Sequence, residues 1–226
     1  MLKDNLLLDS TRSFSDAPNK HIGCPEHSSE GVPSSWYALR VSYSRELKVQ
    51  KALDALGVKT FVPMMWKRCP VKPGMTKPGM TKPGMMKPGM TTSAGNSDRK
   101  LVPAVGNLCF AYSTRTALED FIRGYGEASP VHFYWDRTAN RPLTVPYKAM
   151  NDFITVASTL DEDIVYVTEI SAKLREGQTV MVKDGPFKGV EGKVVRIRKS
   201  RRVLVELPGM LAVATTYIDP VNLEII

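Results

Sequence analysis

Three groups of side chains in this sequence are of the types that chemistry uses. His21, Cys24 and His27 recur at intervals of three residues, and imidazole and thiolate both bind zinc. That spacing matches no standard ligand set, and Cys69 and Cys109 add no CxxC pair, so a zinc ribbon is not expected. Asp161, Glu162 and Asp163 form an acidic cluster, which a solvated linker explains better than a metal site. Arg196, Arg198, Lys199, Arg201 and Arg202 form a dense basic run that could grip phosphates. There is no Gly-rich phosphate loop, no GxSxG elbow and no carboxylate pair at a useful spacing. The sequence therefore gives no reason to expect an enzyme or a cofactor.

The chain has 226 residues, room for one large domain or two small ones, and a formal net charge of +8. A basic balance of this size favours polyanionic partners such as DNA or RNA without identifying one. Three cysteines suit a reducing cytoplasm better than a disulfide framework. No apolar run reaches the roughly 18 residues of a membrane span. Leu6-Leu7-Leu8 is bracketed by Asp4 and Asp9, too short for a signal-peptide core. A cytoplasmic monomer without a membrane partner is the expectation.

Elements must hold these groups in place. Residues 1–34 are rich in Ser, Asp, Asn, Pro and Gly and read as a flexible tail. Trp36 to Val41 has the bias of a strand. Ser44 offers a helix N-cap, Glu46 suits the first turn, Val49, Leu53 and Leu56 make a stripe, and Gly57 is a terminator. Val58 to Trp66 reads as a strand that Pro63 places at an edge or a bend. Further strands are expected near Leu101–Ser113 and Val131–Trp135. Helices are expected from about Thr116 to Arg123 and after Pro146, the latter with the stripe Met150, Phe153, Ile154 and Ala157.

Between the second and third strands a five-residue unit repeats from Lys72 to Thr91. Pro and Gly in every unit exclude regular helix and central strand. Its lysines, Lys72, Lys77, Lys82 and Lys87, could touch DNA, or the repeat could be a tolerated expansion of a surface loop. After the acidic cluster the pattern changes to alternation. Val180 and Val182, Val195 and Ile197, then Val203, Val205 and Leu207, predict a small β-barrel with these residues facing inward. On that phase Arg196 and Arg198 point outward. The expected fold class is α+β. A mainly antiparallel α/β sandwich spans 35–159 with a low-complexity insertion at 70–99. A linker covers 160–174, and the barrel covers 175–226.

The most specific segment runs from Gly177 to Val194, with Asp184-Gly185-Pro186 as a tight turn and Phe187 free to cap the barrel. It resembles the KOW motif that ends proteins of the NusG family. Trp36-Tyr37-Ala38-Leu39, then Phe61-Val62-Pro63-Met64, resembles the opening of that family's amino-terminal (NGN) domain. Arg141-Pro142-Leu143-Thr144-Val145-Pro146 resembles its closing part. The long tail and the Trp-Tyr-Ala-Leu-Arg start lean toward specialised UpxY/RfaH-like antiterminators. One departure stands out. The family's Phe-Pro-Gly-Tyr segment, whose aromatics dock on the polymerase clamp, corresponds to Val105–Phe110, with Val105 and Leu108 at the Phe and Tyr positions.

The resemblance implies a transcription elongation or antitermination factor that binds RNA polymerase and suppresses pausing and termination. Specific operons, such as capsular polysaccharide loci, would be its targets. Tyr37, Phe61, Val105, Leu108 and Phe110 would be the polymerase-binding residues, with ordinary sheet core as the alternative. Asp184, Gly185, Pro186, Phe187 and Gly189 would bind a second partner, ribosomal protein S10 or Rho. Arg198, Lys199, Arg201 and Arg202 are candidates for contact with DNA or nascent RNA, or else the solvated tip of a hairpin. A general NusG and a ribosome-associated KOW protein are the alternative functions.

Overall fold

The computed structural model describes residues 33–68, 99–168 and 177–226. The tail through residue 32, the repeat, the last part of the expected linker, and His21, Cys24, His27 and Cys69 lie outside the described residues. The residues from Pro33 to Ile226 belong to one compact unit.

The amino-terminal half contains, in chain order, β1 (Ser35–Val41), α1 (Glu46–Ala55), β2 (Lys59–Phe61), β3 (Met64–Arg68), β4 (Arg99–Pro103), β5 (Leu108–Ser113) and α2 (Arg115–Arg123). There follow β6 (Val131–Phe133), β7 (Trp135–Asp136), β8 (Arg141–Pro142), β9 (Thr144–Val145) and α3 (Tyr147–Ala157). Strand β1 is the axis. It pairs with β5 along one edge and with β6 and then β9 along the other, while β2 extends the sheet beyond β5. Alternation along β1 sends Trp36 and Ala38 to one face and Tyr37, Leu39 and Val41 to the other, all buried. A strand apolar on both faces must be covered on both. Helices α1 and α2 cover the Tyr37 side with Val49, Leu53 and Leu118, and α3 covers the Trp36 side with Met150, Phe153 and Val156.

Two expected strands are broken. Pro63 has no N–H to give to a ladder. The stretch from Val58 to Trp66 therefore splits into β2, in the main sheet, and β3, which forms a separate hairpin with β4. The stretch from Leu101 to Ser113 divides at Asn107, which has φ 63° and donates its N–H to Glu46 Oε1 at 2.6 Å. Glu46 is in the first turn of α1, as expected, and is also a buried acceptor for a neighbouring loop. The helix begins after Arg45 without a side-chain cap, because Ser44 is itself in the left-handed region. Leu56 lies beyond the helix end and is exposed rather than part of the stripe.

The carboxy-terminal half contains β10 (Val165–Val167), β11 (Thr179–Val182), β12 (Glu191–Ile197), β13 (Ser200–Leu207), β14 (Leu211–Ala214) and β15 (Leu223–Ile225). They form a six-stranded sheet in the order β10-β14-β13-β12-β11-β15. Strand β10 comes from the expected linker and pairs with β14, so part of that segment is a structural strand. Gly192 is required where β12 crosses β13, since a Cβ there would sit 2.4 Å from the Leu204 carbonyl oxygen. The ladders in both halves are antiparallel, and with three α-helices among the described residues the fold is α+β.

Register corrects one expected phase. Val180 lies opposite Gly192 and Val194 opposite Val203, so these valines share a face with Val182 and Val205. Val195 and Ile197 lie on the other face, in a separate cluster with Leu204, Ala212 and Ala214. Val194 and Val195 are adjacent and both apolar, so alternation alone could not choose between the two phases.

Candidate docking surfaces

Helix α3 joins the two halves. Its Phe153 ring meets Phe61 and Phe110 on the sheet side, at centroid distances of 6.2 and 6.0 Å, and Tyr166 of β10 at 6.4 Å. Side chains of the helix and of both sheets make one apolar cluster, running from Trp36 and Phe110 through Met150 to Val203 and Val205. Burial pushes the Tyr166 phenol up to about 12, and its hydroxyl donates to the Met64 carbonyl at 3.2 Å.

Lys148 and Asp152 tie the first part of α3 to the KOW-like loop. The Lys148 ammonium donates to both Asp152 carboxylate oxygens, at 2.8 and 2.7 Å, and to the Gly189 carbonyl at 3.0 Å. Asp152 Oδ2 in turn accepts from the Glu191 N–H at 3.3 Å. Burial raises the Asp152 carboxyl above its ordinary value, and the bonds from Lys148 and the Glu191 N–H offset this only in part. The sequence signal for this contact is the i,i+4 spacing of Lys148 and Asp152, but local helix pairing explains that spacing equally well.

The five residues proposed for polymerase binding do not share one face. Phe61, Val105, Leu108 and Phe110 belong to the α3 side of the sheet. Tyr37 belongs to the opposite side, where its ring meets Phe133 edge-on at 5.6 Å and burial raises its phenol. Leu108 and Phe110 are fully buried, while Phe61 and Val105 are half-buried. In the loop from Asp184 to Gly189, Asp184, Gly185 and Pro186 are exposed, whereas Phe187 is buried in the cluster beneath α3. Gly189 has φ 81°, a conformation that favours glycine, and its N–H donates to the Val182 carbonyl at 2.7 Å.

The basic run is divided as well. Arg198 and Lys199 are the two exposed corner residues of the β12–β13 hairpin, and Arg201 is half-exposed. Arg202 is buried. Its guanidinium donates to the Thr215 carbonyl at 2.8 Å and to the Asp163 carbonyl. It joins the β10 side of the sheet to β13, which removes it from the surface candidates. No group of metal-ligating side chains and no helix long and apolar enough to cross a membrane is found among the described residues.

Residues 176–206 match the family model described as the KOW motif. No curated protein matches the chain. Among solved structures, a chain described as "Domain interaction in Thermotoga maritima NusG" is similar at 14% identity and a TM-score of 0.41, covering 85% of this chain and 97% of that one. The carboxy-terminal half therefore carries a KOW motif, which includes the loop from Asp184 to Gly189 and the close approach at Gly192.

Proposed function

We propose that this chain is a transcription elongation and antitermination factor of the NusG type that binds RNA polymerase through its α/β half and catalyses nothing itself. The observation that carries the reading is the order of parts. An α/β sandwich opening on Trp36-Tyr37-Ala38-Leu39 is followed by a strand sheet bearing a KOW motif. In this reading Phe61 and Val105 contribute the accessible part of the docking face, and Leu108 and Phe110 support it from behind. A rigid module seated across the polymerase cleft disfavours clamp opening and upstream reannealing, so pauses shorten and termination falls. The KOW loop from Asp184 to Gly189 recruits a second protein, such as ribosomal protein S10 or Rho. Activity on a few operons, in the cytoplasm, follows from the lean toward specialised antiterminators.

The KOW motif taken alone also fits a ribosome-associated RNA-binding protein. Single-round transcription on a template with one strong pause and one terminator separates the two. The reading expects a shorter pause and more read-through when the full chain is added. Unchanged elongation, with co-sedimentation of the chain with ribosomes, would replace it.

A further inference from the structure

We propose that the β12–β13 hairpin, with Tyr217 beside it, binds single-stranded nucleic acid. Four features of the hairpin point this way, whether or not the α/β half docks on polymerase. First, Arg196 lies directly opposite Arg201 in the ladder. Like charges in that position repel each other, and an anion brought between them relieves the repulsion. Second, the turn is made by Arg198 and Lys199 with φ 51° and 65°, between the paired Ile197 and Ser200. A two-residue turn with both corners left-handed strongly prefers Asn-Gly. Here two cations hold a strained backbone at the exposed tip of the hairpin, and strain of this kind gathers at functional sites.

Third, none of Arg196, Arg198, Lys199 and Arg201 is in an ion pair among the described residues. The charge they carry is available to a partner. Fourth, an aromatic ring and an apolar floor accompany the cations. The Ile218 N–H donates to the Arg201 carbonyl at 3.4 Å, which brings the chain at Tyr217 alongside the hairpin, and Tyr217 is 61% exposed. Arg196 and Arg201 line one open groove whose floor includes Val180, Val194 and Leu223. Cations over an apolar floor, with an exposed ring on the adjoining segment, suit a strand whose bases are free to turn inward. Duplex DNA buries its base faces and would use the charges alone, and an acidic peptide would have no need of the ring.

The test is fluorescence anisotropy with the full chain and a labelled single-stranded RNA of about 12 nucleotides, set beside single-stranded DNA and duplex DNA of the same sequence. Single strands should bind more tightly than duplex. Arg198→Gln with Lys199→Gln should lower the slope of log K against log salt by about 1.4, at roughly 0.7 per lost cation. Tyr217→Ala should weaken binding about tenfold at an unchanged salt slope. All three residues are at the surface, and circular dichroism checks that the variants fold. Preference between RNA and DNA in the single-strand arms names the source of the strand. The proposal is overturned by absent binding, by duplex binding as tight as the single strand, by binding that survives these substitutions, or by displacement with polyglutamate at equal charge.

Discussion

The two faces of the amino-terminal sheet are built from similar residues but serve different ends. On the α1–α2 face, Tyr37, Leu39, Val41, Val49, Leu53, Cys109 and Leu118 close a cluster that involves only the amino-terminal half. On the α3 face the cluster does not end at the helix but continues into the carboxy-terminal sheet. Each face has polar exceptions, Glu46 on the first and a larger set on the second. Asp152 is a buried carboxylate, and Trp36 Nε1 and the Tyr147 hydroxyl are buried without a hydrogen-bond partner among the described residues. A buried polar group left unpaired costs free energy that an apolar one would not. The first cluster is confined to one half, and the second couples the two halves through α3.

The strongest way to break this comparison is to empty each face in turn. Phe153→Ala should cost about 3–5 kcal/mol and Leu53→Ala about 2–5 kcal/mol in denaturant unfolding. The contrast lies in where protection is lost. Hydrogen exchange at Val203 and Val205 should rise in Phe153→Ala and stay unchanged in Leu53→Ala. Equal exchange in the two variants would mean that the α3 cluster does not couple the halves.

A smaller effect concerns Asp152. Its folded pKa is raised, chiefly by burial, above the ordinary value of 3.8. Between those two values the folded chain holds a proton that the unfolded chain has released, so stability falls as pH rises through that window and is fully present below it. Denaturation midpoints measured from pH 3.5 upward should show this decline, and Asp152→Asn should flatten it. A slope unaltered by the substitution would assign the pH dependence elsewhere.

The smallest effect is on the closed face. Burial, with Asp54 and Glu46 adding to it, pushes the Cys109 thiol up to about 12. In a chain carrying Cys24→Ser and Cys69→Ser, the folded protein should resist a maleimide at pH 8 over hours. Rapid labelling would show that the α1–α2 face opens readily.

Much of the scaffold was legible because local and tertiary signals agreed. Trp36 to Val41 reads as a strand and is one, and Gly57 and Gly124 end their helices where the apolar stripes stop. What was hidden depended on non-local partners. The buried role of Glu46 needs the Asn107 N–H, 61 residues away. Arg202 sits in a run of surface cations and turns inward only because the Thr215 and Asp163 carbonyls are there to receive it. Strand β10 follows three acids and has too few residues to show a period, so only its pairing with β14 reveals it. Of the candidate docking residues, the apolar character was visible but the face was not. Tyr37 and Phe110 lie one register position apart on the adjacent strands β1 and β5, so they point to opposite sides.

The central claim is tested most directly by binding of the full chain to core RNA polymerase, measured by biolayer interferometry with Val105→Asp as the variant. Leu108 is fully buried, so an aspartate there would unfold the module, whereas Val105 is half-buried and can accept the charge. The account predicts that the unaltered chain binds and that Val105→Asp, folded by circular dichroism, binds at least about tenfold more weakly, the loss expected when a charge enters an apolar contact. No binding by the unaltered chain, or equal binding by the variant, would contradict it.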